Sequence, residues 1–192
     1  MATETREKIL KAAGELLVDE GVNALNVRAI SNKAGMSTIG IYRKFGDRQG
    51  VLDALCQEGW TRLRDTMNAC DKSGPQKGVI MRRIEVYLDI ADNYPAHYQL
   101  MLEASTRGYE PSAETQTLAR ETFQEVLDSV AMLPNLTVDS DLVATELLGL
   151  THGLLTVGVH PNKGILRVKD WKRTILSACS AHIDARTRQS SQ

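Results

Sequence analysis

Between Asn26 and Arg48 the chain carries Arg28, Lys33, Arg43, Lys44 and Arg48 against the single acid Asp47, five cations to one acid, with the hydroxyls of Ser37, Thr38 and Tyr42 set among them. Cations, hydroxyls and helix starts are the groups that hold a phosphate backbone, which makes Asn26, Ser37, Tyr42, Lys44 and Arg48 the candidate phosphate contacts. Arg28, Thr38, Ile39, Gly40 and Arg43 are the candidates for reading base edges or groove shape, since arginine pairs with guanine and a methyl-bearing side chain meets the thymine methyl.

Such residues read a groove only when two short helices present them. The first begins at Asn26, whose side-chain oxygen suits the unpaired N–H groups of an opening turn, and sets Val27, Ile30 and Ala34 on one face. Gly35 stops it, because glycine accepts the left-handed backbone that closes a helix, and Ser37 two residues on opens the second. In that second helix Ile41 and Phe45 stand four apart as an inward anchor, leaving Thr38, Ile39, Arg43 and Lys44 outward. Upstream, Ile9, Ala12, Ala13, Leu16 and Leu17 form one apolar stripe backed by charged residues, and Gly21 ends it, so a three-helix unit with a helix-turn-helix is expected.

The segment Ala34-Gly35-Met36-Ser37-Thr38-Ile39-Gly40-Ile41-Tyr42-Arg43-Lys44-Phe45-Gly46-Asp47-Arg48 resembles the DNA-binding signature of the TetR family of bacterial transcriptional regulators. The resemblance covers the first quarter of the chain. Arg48 stands where lysine is commoner in the family, keeping the charge, and Gln49-Gly50 replaces a frequent acidic pair, a change expected to weaken the start of the fourth helix. The resemblance implies a regulator that binds a double-stranded DNA operator as a homodimer, most often as a repressor, and responds to a small-molecule effector held by its C-terminal helices; the expected compartment is the cytoplasm, since no signal peptide or membrane span is read in the sequence. A regulator acting as activator, or a helical dimerisation module without an effector, is the alternative reading.

The 192-residue chain carries a net charge of −1, so with plus four in the segment above the remainder sums to about minus five, and the positive field is confined to one end. Helical periodicity continues from Asp47 to about Asn68, Val79 to Asn93, a short helix from Pro95, Ser112 to Leu133, Asp139 or Thr137 to about Val159 closed by Pro161, and a last helix marked by Trp171, Ile175, Ala178 and His182. The hinges fall at 71–77, 106–111, 134–139 and 160–165. No useful strand alternation intervenes, giving an all-α fold of about nine helices. The division expected is a DNA-binding domain over 1–50 and a larger helical effector-binding and dimerisation domain over 51–192.

Leu147 to Gly158 is apolar on nearly every face, with Gly149 and Gly153 four apart so that another backbone can approach. Leu147, Gly149, Leu150, Gly153 and Leu154, with Trp171, Ile175 and Cys179 of the last helix, are therefore the candidate dimer surface. For an effector cavity the candidates are Tyr87, Tyr94, Tyr98, Met101, Phe123 and His152.

Other chemistries find little purchase. Gly-rich phosphate loops, Gly-x-Ser-x-Gly and His-Glu-x-x-His are missing from the sequence, so no enzyme and no cofactor is expected. Cys56, Cys70 and Cys179 are three cysteines at unrelated spacings, which supports buried structural thiols over a metal site or a disulfide framework. The longest stretch without charge, Leu147 to Asn162, falls short of the ~20 residues that cross a bilayer, and the start lacks a charged-then-apolar signal, so no membrane is expected.

Overall fold

In a computed structural model the residues described are 2–103, 109–156 and 168–187. Among them all extended regular structure is helical. Nine α-helices follow in order: α1 Ala2–Glu20, α2 Val27–Ala34, α3 Thr38–Phe45, α4 Arg48–Ala69, α5 Gln76–Asn93, α6 Pro95–Glu103, α7 Ala113–Ala131, α8 Ser140–Leu154 and α9 Trp171–Thr187, with a 3-10 turn at Val22–Ala24 between α1 and α2. The expected closure of the eighth helix near Val159 and Pro161, the 160–165 hinge and the first half of the 106–111 hinge lie outside the described residues.

The chain forms two compact units, Met1–Asp65 with Asp89–Arg120, and Thr66–Leu88 with Glu121–Gln192. Most of α4, together with α6, contributes to the first unit. In that unit the whole apolar stripe of α1, Ile9, Ala12, Ala13, Leu16 and Leu17, is buried together with Leu25, Ile30, Ile41, Val51, Leu52 and Leu55. Each leucine, isoleucine or valine side chain removed from water stabilises the fold by about 1.5 to 3 kcal/mol before entropy is subtracted. Small residues let the helices approach: a Cβ at Gly14 of α1 would stand 3.6 Å from that of Ala96 on α6, and one at Gly59 of α4 would fall 2.7 Å from Met101 Sδ and 3.0 Å from His97 Cβ on α6.

Asp53 on α4 closes the unit from the other side. Its Oδ1 accepts from the Tyr109 hydroxyl at 2.7 Å and from the Ser112 backbone N–H at 2.8 Å, where α7 is about to begin. Burial alone would raise the Asp53 pKa, but bonds from the Ser112 amide and from the Tyr109, Ser112 and Thr115 hydroxyls prevail and hold it below the ordinary carboxylate value. Tyr109 is pushed the opposite way by burial and by that same carboxylate.

In the second unit α8 and α9 run antiparallel. Glu146 of α8 receives His182 Nε2 at 2.8 Å and Arg186 Nε at 2.9 Å, and is paired also with Arg186 Nη2, while Thr151 Oγ1 lies 3.3 Å from Cys179 Sγ one turn further on. Lys77 of α5 reaches Asp184 at 2.6 Å, and Gln76 donates to the Ser129 carbonyl at 2.7 Å, joining α5 to α9 and α7. Asp139 is the N-cap of α8, its carboxylate accepting from Asp141 N–H at 2.8 Å, which settles the choice between Asp139 and Thr137.

Candidate nucleic-acid interface

The corner between α2 and α3 is built from backbone chemistry. Asn26 Oδ1 accepts from Ala29 N–H at 2.9 Å and opens α2. At the other end Gly35 is left-handed at φ 64°, its N–H bonds to the Asn32 carbonyl at 3.2 Å and the Met36 N–H to the Ser31 carbonyl at 3.0 Å, the paired closure of a Schellman motif. The buried hydroxyl of Ser31 donates to the Met36 carbonyl and locks the corner from inside. Ser37 then caps α3 through Gly40 N–H at 3.4 Å.

What the corner presents is decided by which face of α3 is inward. Ile41 is fully buried and Phe45 partly so, whereas Ile39 is 75 % exposed and Tyr42 54 % exposed, beside exposed Arg43 and Lys44. A large aliphatic and an aromatic left in water on the same helix as two cations are not explained by core packing. Thr38 and Gly40 are half-buried at the start of α3, and Arg28 is exposed near the start of α2.

Three of the basic segment's other polar residues are spent within the fold. Lys33 pairs with Glu15 at 3.5 Å and Asp19 at 3.4 Å on α1. Asn26, besides its cap, donates from Nδ2 to the Ala24 carbonyl at 3.3 Å. Arg48, expected to face phosphate, instead donates from Nε to the Leu25 carbonyl at 2.6 Å and from Nη2 to the Val22 carbonyl at 2.8 Å. Of the segment's cations Arg28, Lys33, Arg43 and Lys44 are exposed, Lys33 while paired with α1, and Arg48 is half-buried.

Sequence reasoning also misread Gly50. It lies in the first turn of α4, and its N–H is accepted by Asp47 Oδ1 at 2.9 Å, so the helix start is capped rather than weak. A Cβ there would stand 1.8 Å from the Phe45 carbonyl oxygen, so only glycine lets α4 begin so close behind α3. A glycine inside an otherwise helical stretch was the available signal.

The dimer candidates divide. Leu147, Trp171, Ile175 and Cys179 are buried within the protomer, Ile175 and Cys179 completely, which withdraws them from any partner surface: they are the α8–α9 core. Gly149 is exposed, and Leu150, Gly153 and Leu154 are half-buried; a Cβ at either glycine would meet nothing within 4 Å. The effector candidates divide too. A cleft of about 550 Å³ in the first unit is lined by α1, α4 and the start of α6, including Leu10, Val18, Leu55, Arg62 and Tyr94. Tyr94 is the one candidate of the six that lines it, its ring 4.2 Å beneath the Arg62 guanidinium. Tyr98 and Met101 lie on α6 of the same unit, whereas Tyr87, Phe123 and His152 belong to the second.

Burial raises the thiol pKa of Cys56 to about 11 and also raises that of Cys179, which disfavours the reactive thiolate at both. Among the described residues no group of His, Cys, Asp or Glu could hold a metal ion, and no helix is long and apolar enough to cross a membrane.

Residues 9–55 match the family model of bacterial regulatory proteins, tetR family. Over 100 residues the chain is 29% identical to an uncharacterized HTH-type transcriptional regulator, YobS, of Bacillus subtilis (strain 168), a match spanning 51% of each chain, so about half that relative's length is covered. Three solved structures share the fold. A protein of unknown function from Rhodococcus sp. RHA1 has a TM-score of 0.79 at 19% identity over 96% of both chains. The TetR family transcriptional regulator PfmR from Thermus thermophilus has a TM-score of 0.71 at 17% identity, over 96% of this chain and 99% of that one. The transcriptional regulator FadR from Bacillus subtilis, solved with stearoyl-CoA, has a TM-score of 0.65 at 15% identity, over 92% of this chain and 98% of that one.

Proposed function

We propose that this protein is a DNA-binding transcriptional repressor, seated on a palindromic operator as a homodimer and released by a small effector; the match of residues 9–55 to the tetR family model and the fold shared with solved regulators support this reading. The observation that carries this reading is the outward face of α3, where Ile39 at 75 % exposure and Tyr42 at 54 % stand with Arg43 and Lys44. A helix of eight residues, about 12 Å long, fits the major groove end-on or along its first turns. Lys44, Tyr42 and the Ser37 end of α3 hold phosphates, with Asn26 offering the start of α2. Thr38, Ile39, Gly40 and Arg43, with Arg28 from α2, read bases or groove shape.

One such helix makes too few contacts to select a gene, and two reading heads about one DNA turn apart supply the rest. The dimer forms through the face of α8 that carries Gly149, Leu150, Gly153 and Leu154, left over once Leu147 and α9 have been taken into the protomer's core. Reading belongs to residues 1–50, and effector binding and dimerisation to 51–192, in the cytoplasm. The relative solved with stearoyl-CoA supports an effector pocket in this fold, and Tyr87, Tyr94, Tyr98, Met101, Phe123 and His152 are the residues from which such a pocket would draw. The effector works as a population shift, binding best to a dimer whose reading heads no longer match the operator spacing.

The test is selection of duplexes from a random library by the purified chain, followed by footprinting. An enriched inverted repeat protected on both half-sites, at a stoichiometry of two chains per duplex, is the expected result. Enrichment of no sequence at low salt overturns the proposal.

A further inference from the structure

Arg48 sits 23 residues from Leu25 and 26 from Val22 in sequence, yet its guanidinium spans both of their carbonyl oxygens, at 2.6 Å and 2.8 Å. Those carbonyls belong to the turn joining α1 to α2, and the side chains of Leu25 and Val22, 1 % and 7 % exposed, root that turn in the core. The turn is thus a fixed abutment. Arg48 is also the first residue of α4, two positions beyond Gly46, whose N–H closes α3 onto the Tyr42 carbonyl at 2.9 Å. The near end of α3 is held by the Ser31 and Gly35 closure, and its far end is held by Arg48.

We propose that Arg48 is a positioning residue for operator reading, one that fixes the tilt of α3 by clamping its exit to the α1–α2 turn, and that it makes no phosphate contact. The inference rests on the DNA-reading function proposed above and reverses the role that its charge suggests. A fork of fixed donors can span two carbonyls, whereas a lysine ammonium is a single point on a flexible stem. For a phosphate, by contrast, either cation serves. The lysine substitution therefore separates the two roles, since it keeps the charge and removes the fork.

Wild type, Arg48→Lys and Arg48→Gln are compared on the duplex that wild type selects and on an unrelated duplex of equal length, over several salt concentrations, at a temperature where circular dichroism finds each variant folded. Arg48→Lys is expected to lose roughly tenfold or more on the selected duplex, the scale of one disturbed base contact, with its binding to the unrelated duplex and its salt slope unchanged. Arg48→Lys binding like wild type, with Arg48→Gln losing affinity on both duplexes alike and its log–log salt slope falling by about 0.9, makes Arg48 a phosphate contact and overturns the inference. Variants that melt earlier but bind both duplexes like wild type overturn it as well, because the clamp is then only structural. Should Arg48→Gln fail to fold, Arg48→Lys alone decides between these outcomes. If wild type selects no duplex, the proposed function falls and the inference with it; if wild type selects one, only the variants bear on Arg48.

Discussion

Gly50 and Phe45 meet backbone to backbone: a Cβ at position 50 would lie 1.8 Å from the Phe45 carbonyl oxygen, where neither side can give way cheaply. In an open helix Gly→Ala gains about 1 kcal/mol. Here the clash reverses the sign, and Gly50→Ala is expected to destabilise the chain by roughly 2 kcal/mol or more in urea denaturation. Gly40→Ala is the control, since its Cβ would meet only Ser37 Oγ at 3.8 Å and Met36 Cε at 4.0 Å. That variant should gain about 0.5 to 1 kcal/mol and lose operator affinity.

Ile39 and Lys44 share α3 but should fail differently. With 75 % of its surface already in water, Ile39→Ala leaves the melting temperature near that of wild type. It should shift the preferred base at one operator position by about 1 to 3 kcal/mol, read in parallel titrations of single-base variants. Lys44→Ala should weaken all duplexes alike and reduce the log–log salt slope by about 0.9.

The Asp53 carboxylate, held below its ordinary pKa by its partners, ties stability to pH. A group of depressed pKa contributes stability that is complete above its unfolded pKa and fades as pH falls through the folded one. Asp53→Asn should therefore cost about 1 to 2 kcal/mol at neutral pH, the scale of bonds to a charged acceptor, and progressively less below the usual carboxylate range. Urea midpoints of both proteins at neutral pH and at steps down through the carboxylate range check this, and a gap that stays constant with pH contradicts it.

On α8 and α9, two substitutions separate partner surface from core. Nothing lies within 4 Å of a Cβ at Gly149, so Gly149→Trp should leave the protomer folded and convert dimer to monomer in light scattering. Ile175 is fully buried, and Ile175→Ala should instead lower stability by about 2 to 5 kcal/mol.

The parts of this molecule legible from sequence are those governed by local chemistry. The α1 stripe and the caps at Asn26, Gly35 and Ser37 each depend on residues within a turn or two, and each is where the pattern places it. Leu147 to Leu154 resisted because a helix apolar on all sides does not declare which side the protomer keeps. Arg48 resisted for a different reason: its partners are backbone carbonyls, which carry no residue type, in a turn brought near only by the packing of α1 and α2. Gly50 was judged by helix propensity, which describes a helix in water and not one that starts against the carbonyl of Phe45.

The first unit is woven from two stretches of chain, with Gly14 seated against Ala96 and Asp53 tethered to Tyr109 and Ser112. Anyone transplanting this reader onto a foreign sensor by splicing after residue 50 would leave half of its upholstery behind. A workable chimera has to inherit both stretches, so its seams run near the ends of α4 and α5 and within α7 rather than through the loop behind α3.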